Sequence, residues 1–253
     1  MIRLRADARP RPARLAAAAL AAGALGTGVP AAQGPRNIQP LAIEDRTGFT
    51  PMFDGTSLAG WEGDPAFWRV EGGLLVGEST AAKPLPANTF IIWTKAQPAD
   101  FELKIDYRIT AGNTGVQYRS QRAPDVGQYV LKGYQADIDF ENRWTGQLYE
   151  ERGRAFLALP GQATVLTADK PRVFGDVTPA EAVKAAVNVG GWNTLHVVAR
   201  KELVVHAVNG KVSAVFLDGD AKQRPTAGFI GLQLHTGPPM RAEFRNLGIR
   251  LLE

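Results

Sequence analysis

No cysteine occurs in the 253 residues. Disulfide scaffolds, cysteine-ligated zinc, iron–sulfur clusters and anchoring through a lipidated N-terminal cysteine are therefore excluded, since each needs a thiol. Also missing are the short motifs with strong mechanisms: a phosphate-cradling glycine loop, a dinucleotide fingerprint, a paired-histidine zinc helix and a nucleophile elbow. The three histidines, His196, His206 and His235, fall in separate segments, and a lone histidine of this kind is more often packed than ligating. One uncharged apolar run, Leu15 to Gly26, has 12 residues. A membrane span needs about 20, and no second run follows.

The flanks give that run a meaning. Arg3, Arg5, Arg9, Arg11 and Arg14 precede it, opposed by Asp7 alone, and the small residues Ala31 and Ala32 follow it. A basic segment, a short apolar segment and a small-residue site, in that order, predict a signal peptide over 1–32 and an exported, periplasmic or secreted protein. Residues 33–48, with Gly34, Pro35 and Pro40, read as a loose leader, and residues 49–253 as one domain. Of the 29 basic and 25 acidic residues, five arginines and one aspartate lie in the signal peptide, which leaves 24 of each. The nominal charge of +4 departs with the signal peptide. No nucleic-acid partner is expected, nor a membrane after cleavage, and a neutral surface agrees with an uncharged ligand such as a sugar.

Along the mature chain the hydrophobic period is two more often than 3.6. Phe101 to Ile109 alternates through nine positions, which predicts a strand burying Phe101, Leu103, Ile105, Tyr107 and Ile109 and exposing Glu102, Lys104, Asp106 and Arg108 to water. Gly72-Gly73 and Asn209-Gly210 each join two such runs as hairpin turns. Further strands are expected over 90–94, 115–119, 134–140, 147–149, 194–199, 229–235 and 241–251, about eleven in all. One short helix is expected after Thr178, with Pro179 at its first position, Glu181 completing a capping box and Gly190-Gly191 ending the segment. Many short strands without repeated helical crossovers predict an all-β sandwich or jelly roll.

The same alternation places polar groups together. Gln117 and Arg119 share a face; so do Gln135, Asp137 and Asp139; so do Gln233 and His235. If these faces belong to one sheet, they form a polar floor for a polyhydroxylated ligand; otherwise they are ordinary solvent-facing positions. Trp93, Trp144 and Tyr149 are placed to stack on sugar rings at a rim, or to fill the core. Arg119 pairing with Asp137 or Asp139 would make the cluster structural.

Several segments in order resemble the 3-keto-disaccharide hydrolase domain family. They include Phe53-Asp-Gly-Thr-Ser-Leu-Ala-Gly-Trp61, Phe67-Trp-Arg-Val-Glu-Gly-Gly-Leu-Leu75, Gly112-Asn-Thr-Gly-Val-Gln-Tyr-Arg119, Gly133-Tyr-Gln-Ala-Asp137, Thr145-Gly-Gln-Leu-Tyr-Glu-Glu-Arg-Gly-Arg154 and Gly231-Leu-Gln-Leu-His235. The resemblance runs from about Phe49 to Leu252 and implies a concanavalin A-like jelly-roll β-sandwich. It also implies an enzyme acting on 3-keto-glycosides. The C3 ketone acidifies the C2 proton, a base removes it, the enolate expels the C1 substituent, and water adds to the product. Relatives carry Glu-x-Gln where this chain has Gln135-Ala136-Asp137, so a base assigned to that glutamate does not transfer. Asp137 is then the expected base or metal ligand, His235 the proton partner and Arg119 the stabiliser of negative charge, with Tyr149 and Glu151 completing the site. A divalent metal ion on the ketone would be a natural electrophile. Two other readings remain open: a non-catalytic carbohydrate-binding module and a cell-surface structural domain.

Overall fold

The computed structural model describes residues 45–167 and 171–253. The expected signal peptide and most of the leader lie outside the described residues. The elements are β1 (Thr50–Pro51), β2 (Trp61–Glu62), β3 (Trp68–Glu71), β4 (Leu74–Ser79), β5 (Thr89–Trp93), β6 (Phe101–Ile109), β7 (Asn113–Arg122), β8 (Leu131–Asp139) and β9 (Leu148–Glu151). They continue with β10 (Ala155–Ala158), β11 (Gln162–Leu166), β12 (Pro171–Asp176), α1 (Ala180–Ala186), β13 (Asn193–Arg200), β14 (Leu203–Val208), β15 (Lys211–Asp218), β16 (Phe229–Leu234) and β17 (Met240–Leu251). One sheet runs β12-β11-β15-β14-β13-β6-β17-β4-β3, with β1 added to β17; the other runs β10-β9-β8-β7-β16-β5-β2. The all-β sandwich read from the sequence is the architecture observed.

Alternation builds the core. Phe101, Leu103, Ile105 and Tyr107 of the first sheet meet Val116, Tyr118, Tyr134, Ala136, Ile230 and Leu232 of the second, all buried in one cluster. Each large apolar side chain so buried contributes about 1.5–3 kcal/mol, enough in sum to hold the domain without disulfides. The ring of Phe101 stands edge-on to that of Tyr118 at 5.9 Å. Two polar contacts cross the interior. Tyr118 Oη and His206 Nε2 lie 2.6 Å apart, and Tyr134 Oη donates to Asp218, which also accepts from Arg154 at 2.7 Å.

Three details differ from the sequence reading. The outer face of β6 does not stand in water: Lys104 is buried and donates to the Asp45 carbonyl, because residues 45–49 fold across it. The helix starts one residue later than expected, with Pro179 rather than Thr178 in the capping position and no side-chain cap bond, and it ends at Ala186. Five strands lay outside the alternation. β1 and β2 have two residues each, β10 and β11 are short, and β12 exposes most of both faces.

Burial holds His206 down to about 4, so it is neutral in the folded protein at pH 7. Stability from that depressed value is complete above the unfolded pKa of 6.5 and is lost as pH falls through 4. His206→Gln should therefore lose less stability than the parent between pH 7 and 4, by roughly 2–3 kcal/mol, in urea unfolding; parallel pH curves would contradict this.

Candidate functional site

Six cross-strand pairs run in line over the outer face of the seven-stranded sheet. They are Glu62–Ile92, Ile92–Gly231, Gly231–Gln117, Gln117–Gln135, Gln135–Tyr149 and Tyr149–Phe156. One step along the strands, Gly115 faces Asp137. A Cβ on Gly115 would stand 2.7 Å from Gln135 Cδ, so the Gln135 side chain folds over bare backbone there. From that position its Nε2 donates to Asp137 Oδ1 at 2.6 Å and reaches Gln233 Oε1 at 3.4 Å. Gln147, immediately before β9, donates its Nε2 to Asp137 Oδ2 at 2.6 Å. Two carboxamides thus clasp one carboxylate, with a single oxygen for each.

The clasp lies in a buried layer. Gln117, Gln135, Gln147 and Gln233 are buried, and Asp137 is 7% exposed. Burial pushes Asp137 up to about 6; the bonds from Gln147 and Gln135 oppose the shift, and the charges of Glu151 and Asp139 add to it. Burial raises Glu151 as well, against the nearby charges of Arg152 and His235. Tyr149 is raised by burial and by the same carboxylates, Glu151 and Asp137. Asp137, Tyr149, Glu151 and His235 therefore share one electrostatic neighbourhood. His235 directs Nδ1 to the Thr236 carbonyl at 2.5 Å. A carbonyl only accepts, so Nδ1 carries a proton and Nε2 is the nitrogen left for chemistry.

The amide layer is incompletely paired. Gln117 Nε2 and Oε1, Gln135 Oε1, Gln147 Oε1 and Gln233 Nε2 are buried without a partner in the protein. Each orphan costs about 1–3 kcal/mol relative to a satisfied group, so this layer is not optimised for stability. Gln117 offers both donors and an acceptor, Gln135 and Gln147 an acceptor each, and Gln233 donors. Such groups suit the hydroxyls of a sugar.

Two residues expected in the site are engaged elsewhere. Arg119 has φ 47°, at a bulge between Tyr118 and Gln121 that breaks the alternation. Its guanidinium is spent on the carbonyls of Ala99 and Lys201, at 2.7 and 2.8 Å, and on Asp100 at 3.0 Å. It ties loops together and pairs with neither Asp137 nor Asp139. Asp139 organises the turn after β8, accepting from Arg143 N–H at 2.9 Å while its own N–H donates to Thr145 Oγ1 at 3.0 Å. Trp93 is buried in the core, whereas Trp144 is 39% exposed and lies beside Phe156, ring centroids 6.0 Å apart. Gln147 was missed, although period two places it with Tyr149 and Glu151.

The donor set does not fit a divalent ion. Among the described residues no three His, Asp or Glu side chains converge. His206 lies in the core and His196 beside Glu102 on the other sheet's outer face.

Comparisons with known proteins agree with this fold. The family model for the 3-keto-alpha-glucoside-1,2-lyase-like domain matches residues 48–250. A proposed glycosyl hydrolase of Parabacteroides distasonis ATCC 8503 superposes with TM-score 0.55 at 20% identity, over 81% of this chain and 99% of that one. A second from the same organism gives TM-score 0.53 at 21% identity, over 81% and 94%. A Bacillus subtilis protein of unknown function with a galectin-like fold gives TM-score 0.54 at 13% identity, over 80% and 94%. No curated protein sequence matches the chain.

The folded Asp137 carboxyl titrates near 6 against 3.8 unfolded, so the stability tied to its neutral form is intact below 3.8 and is lost as pH rises through 6. Asp137→Asn is neutral at every pH. Its stability relative to the parent should rise by roughly 2–3 kcal/mol between pH 4 and 8, measured by urea unfolding; a gap independent of pH would contradict the burial.

Proposed function

The chain belongs to the 3-keto-alpha-glucoside-1,2-lyase-like domain family, which carries a carbohydrate-active role, and from that premise we propose that it cleaves 3-keto-glycosides by elimination across C1 and C2. The observation that carries the reading is the buried Asp137 carboxyl, held near 6 between Gln135 and Gln147. A base with that pKa is largely ionised at pH 7 and still accepts a proton readily.

Asp137 takes the C2 proton, whose C–H electron pair moves into the enolate of the C3 ketone. The enolate then reforms the carbonyl, the C1–C2 double bond closes and the C1–O bond breaks. The leaving oxygen receives a proton from the imidazolium of His235 through Nε2, since Nδ1 is held by Thr236. Glu151 supplies negative charge beside that imidazolium. The enolate oxygen is stabilised by hydrogen-bond donors of the Tyr149 and amide layer rather than by Arg119, whose guanidinium is engaged elsewhere. Gln135 and Gln147 are positioning residues that aim Asp137 and moderate its pKa. Addition of water to the enone completes net hydrolysis.

Purified protein incubated with a 3-keto-glucoside and its unoxidised parent should release aglycone from the oxidised sugar alone. Asp137→Asn should lower kcat/KM by about 100-fold or more and His235→Gln by about tenfold or more. The parent's kcat/KM should rise with pH through a midpoint near 6 and fall again at higher pH, because the proton donor must be charged. Near-normal turnover by both variants would overturn the assignment, and sugar binding without turnover would favour a binding module. Export belongs to the same proposal. The mature protein recovered outside the cytoplasm should begin just after Ala31 or Ala32; a full-length cytosolic chain would contradict it.

A further inference from the structure

Beyond Tyr149 the floor opens onto a different surface. The Phe156 ring stands edge-on to Tyr149 at 5.2 Å and neighbours Trp144 at 6.0 Å. Phe156 and Trp144, together with Leu159 on the loop after β10 and Val173 on β12, line a groove of about 390 Å³. That volume lies in the range of sites for small organic ligands. Phe156 is 54% exposed and Val173 59%. Contiguous exposed apolar surface of this kind marks a binding site more often than chance.

The groove offers little to a polar occupant. Among the described residues no charged side chain lines it, and of its two polar side chains the Thr164 hydroxyl and the Gln162 Oε1 are already engaged. Gln162 Oε1 accepts from the Leu159 N–H at 3.2 Å, and the Thr164 hydroxyl donates to the Leu157 carbonyl at 2.7 Å. A second sugar seated there would find few side-chain partners, and each hydroxyl it turned into the apolar lining would cost about 1–3 kcal/mol. A flat apolar group meets no such penalty and gains ring contacts with Phe156 and Trp144.

We propose that this groove is the aglycone subsite and that the preferred leaving group is an aromatic alcohol. The inference rests on the function proposed above, because a sugar on the Gln135–Asp137 floor places its C1 substituent past Tyr149 only if the floor is where the sugar binds. In that arrangement the C1–O bond breaks at the junction of a polar and an apolar surface. The phenol leaves with the proton delivered to its oxygen.

The test compares 3-keto-glucosides of phenol and of methanol with one anomeric configuration. Phe156→Ser, and separately Val173→Asp, should lower the ratio of kcat/KM for the phenyl over the methyl substrate by about tenfold, chiefly through KM for the phenyl compound. Equal losses on both substrates in both variants would overturn the subsite. If the parent turns over neither substrate, the cleavage reaction fails while the groove is still decided by calorimetry with unoxidised phenyl glucoside. Binding weakened about tenfold by Phe156→Ser then supports it, and no binding refutes it. A concentration-dependent dimer abolished by Phe156→Ser, with no effect on phenyl substrates, would assign the groove to a second copy of the chain and overturn the proposal.

Discussion

A single carboxylate out of water constrains the rest of this molecule. Asp137 stays on the outer face only because Tyr134, Ala136 and Ile138 fill the core on the other. Moving β8 by one residue would put the carboxylate among apolar side chains. Its partners depend on the same register. Gln135 reaches it across the bare backbone of Gly115, and Gln147 does so from the residue before β9. The inner side of β9 is fixed independently, because Glu150 accepts from Arg154 at 2.6 Å and Arg154 continues to Asp218 on the opposite sheet.

Polar groups in the fold divide by how completely they are satisfied. The Tyr134–Asp218–Arg154–Glu150 network and the Tyr118–His206 pair are bonded through and join the sheets. The glutamine layer leaves five buried atoms without protein partners. Fully paired networks rigidify a fold; single orphans also occur elsewhere, at Trp68 Nε1 and Tyr107 Oη among others, but only in the glutamine layer do they gather on one face, where a ligand or water can supply the partners. The aromatic groove beyond Tyr149 shows the same contrast in apolar form, with exposed rings beside a packed core.

Much of this was legible because alternation is a strong constraint on a half-buried sheet. The β6 limits and the polar face within each of β7, β8 and β16 follow from period two, and both hairpins from their two-residue turns; that the three polar faces join in one sheet is seen only in the strand order. Where local geometry departs from it, the reading failed. A left-handed residue at a bulge redirected Arg119, and a turn captured Asp139. Lys104 looked solvent-facing because nothing in β6 reveals that residues 45–49 cross over it. β11 pairs in parallel with β15, a long-range contact that a local pattern does not encode.

In the proposed reaction the protein holds the Asp137 carboxyl near neutrality so that it can exchange a proton with a sugar carbon. A carbon-13 NMR titration of the Asp137 carboxyl in the intact protein tests this most directly. The structure predicts a midpoint near 6. A midpoint at or below the ordinary value of 3.8 would contradict the account.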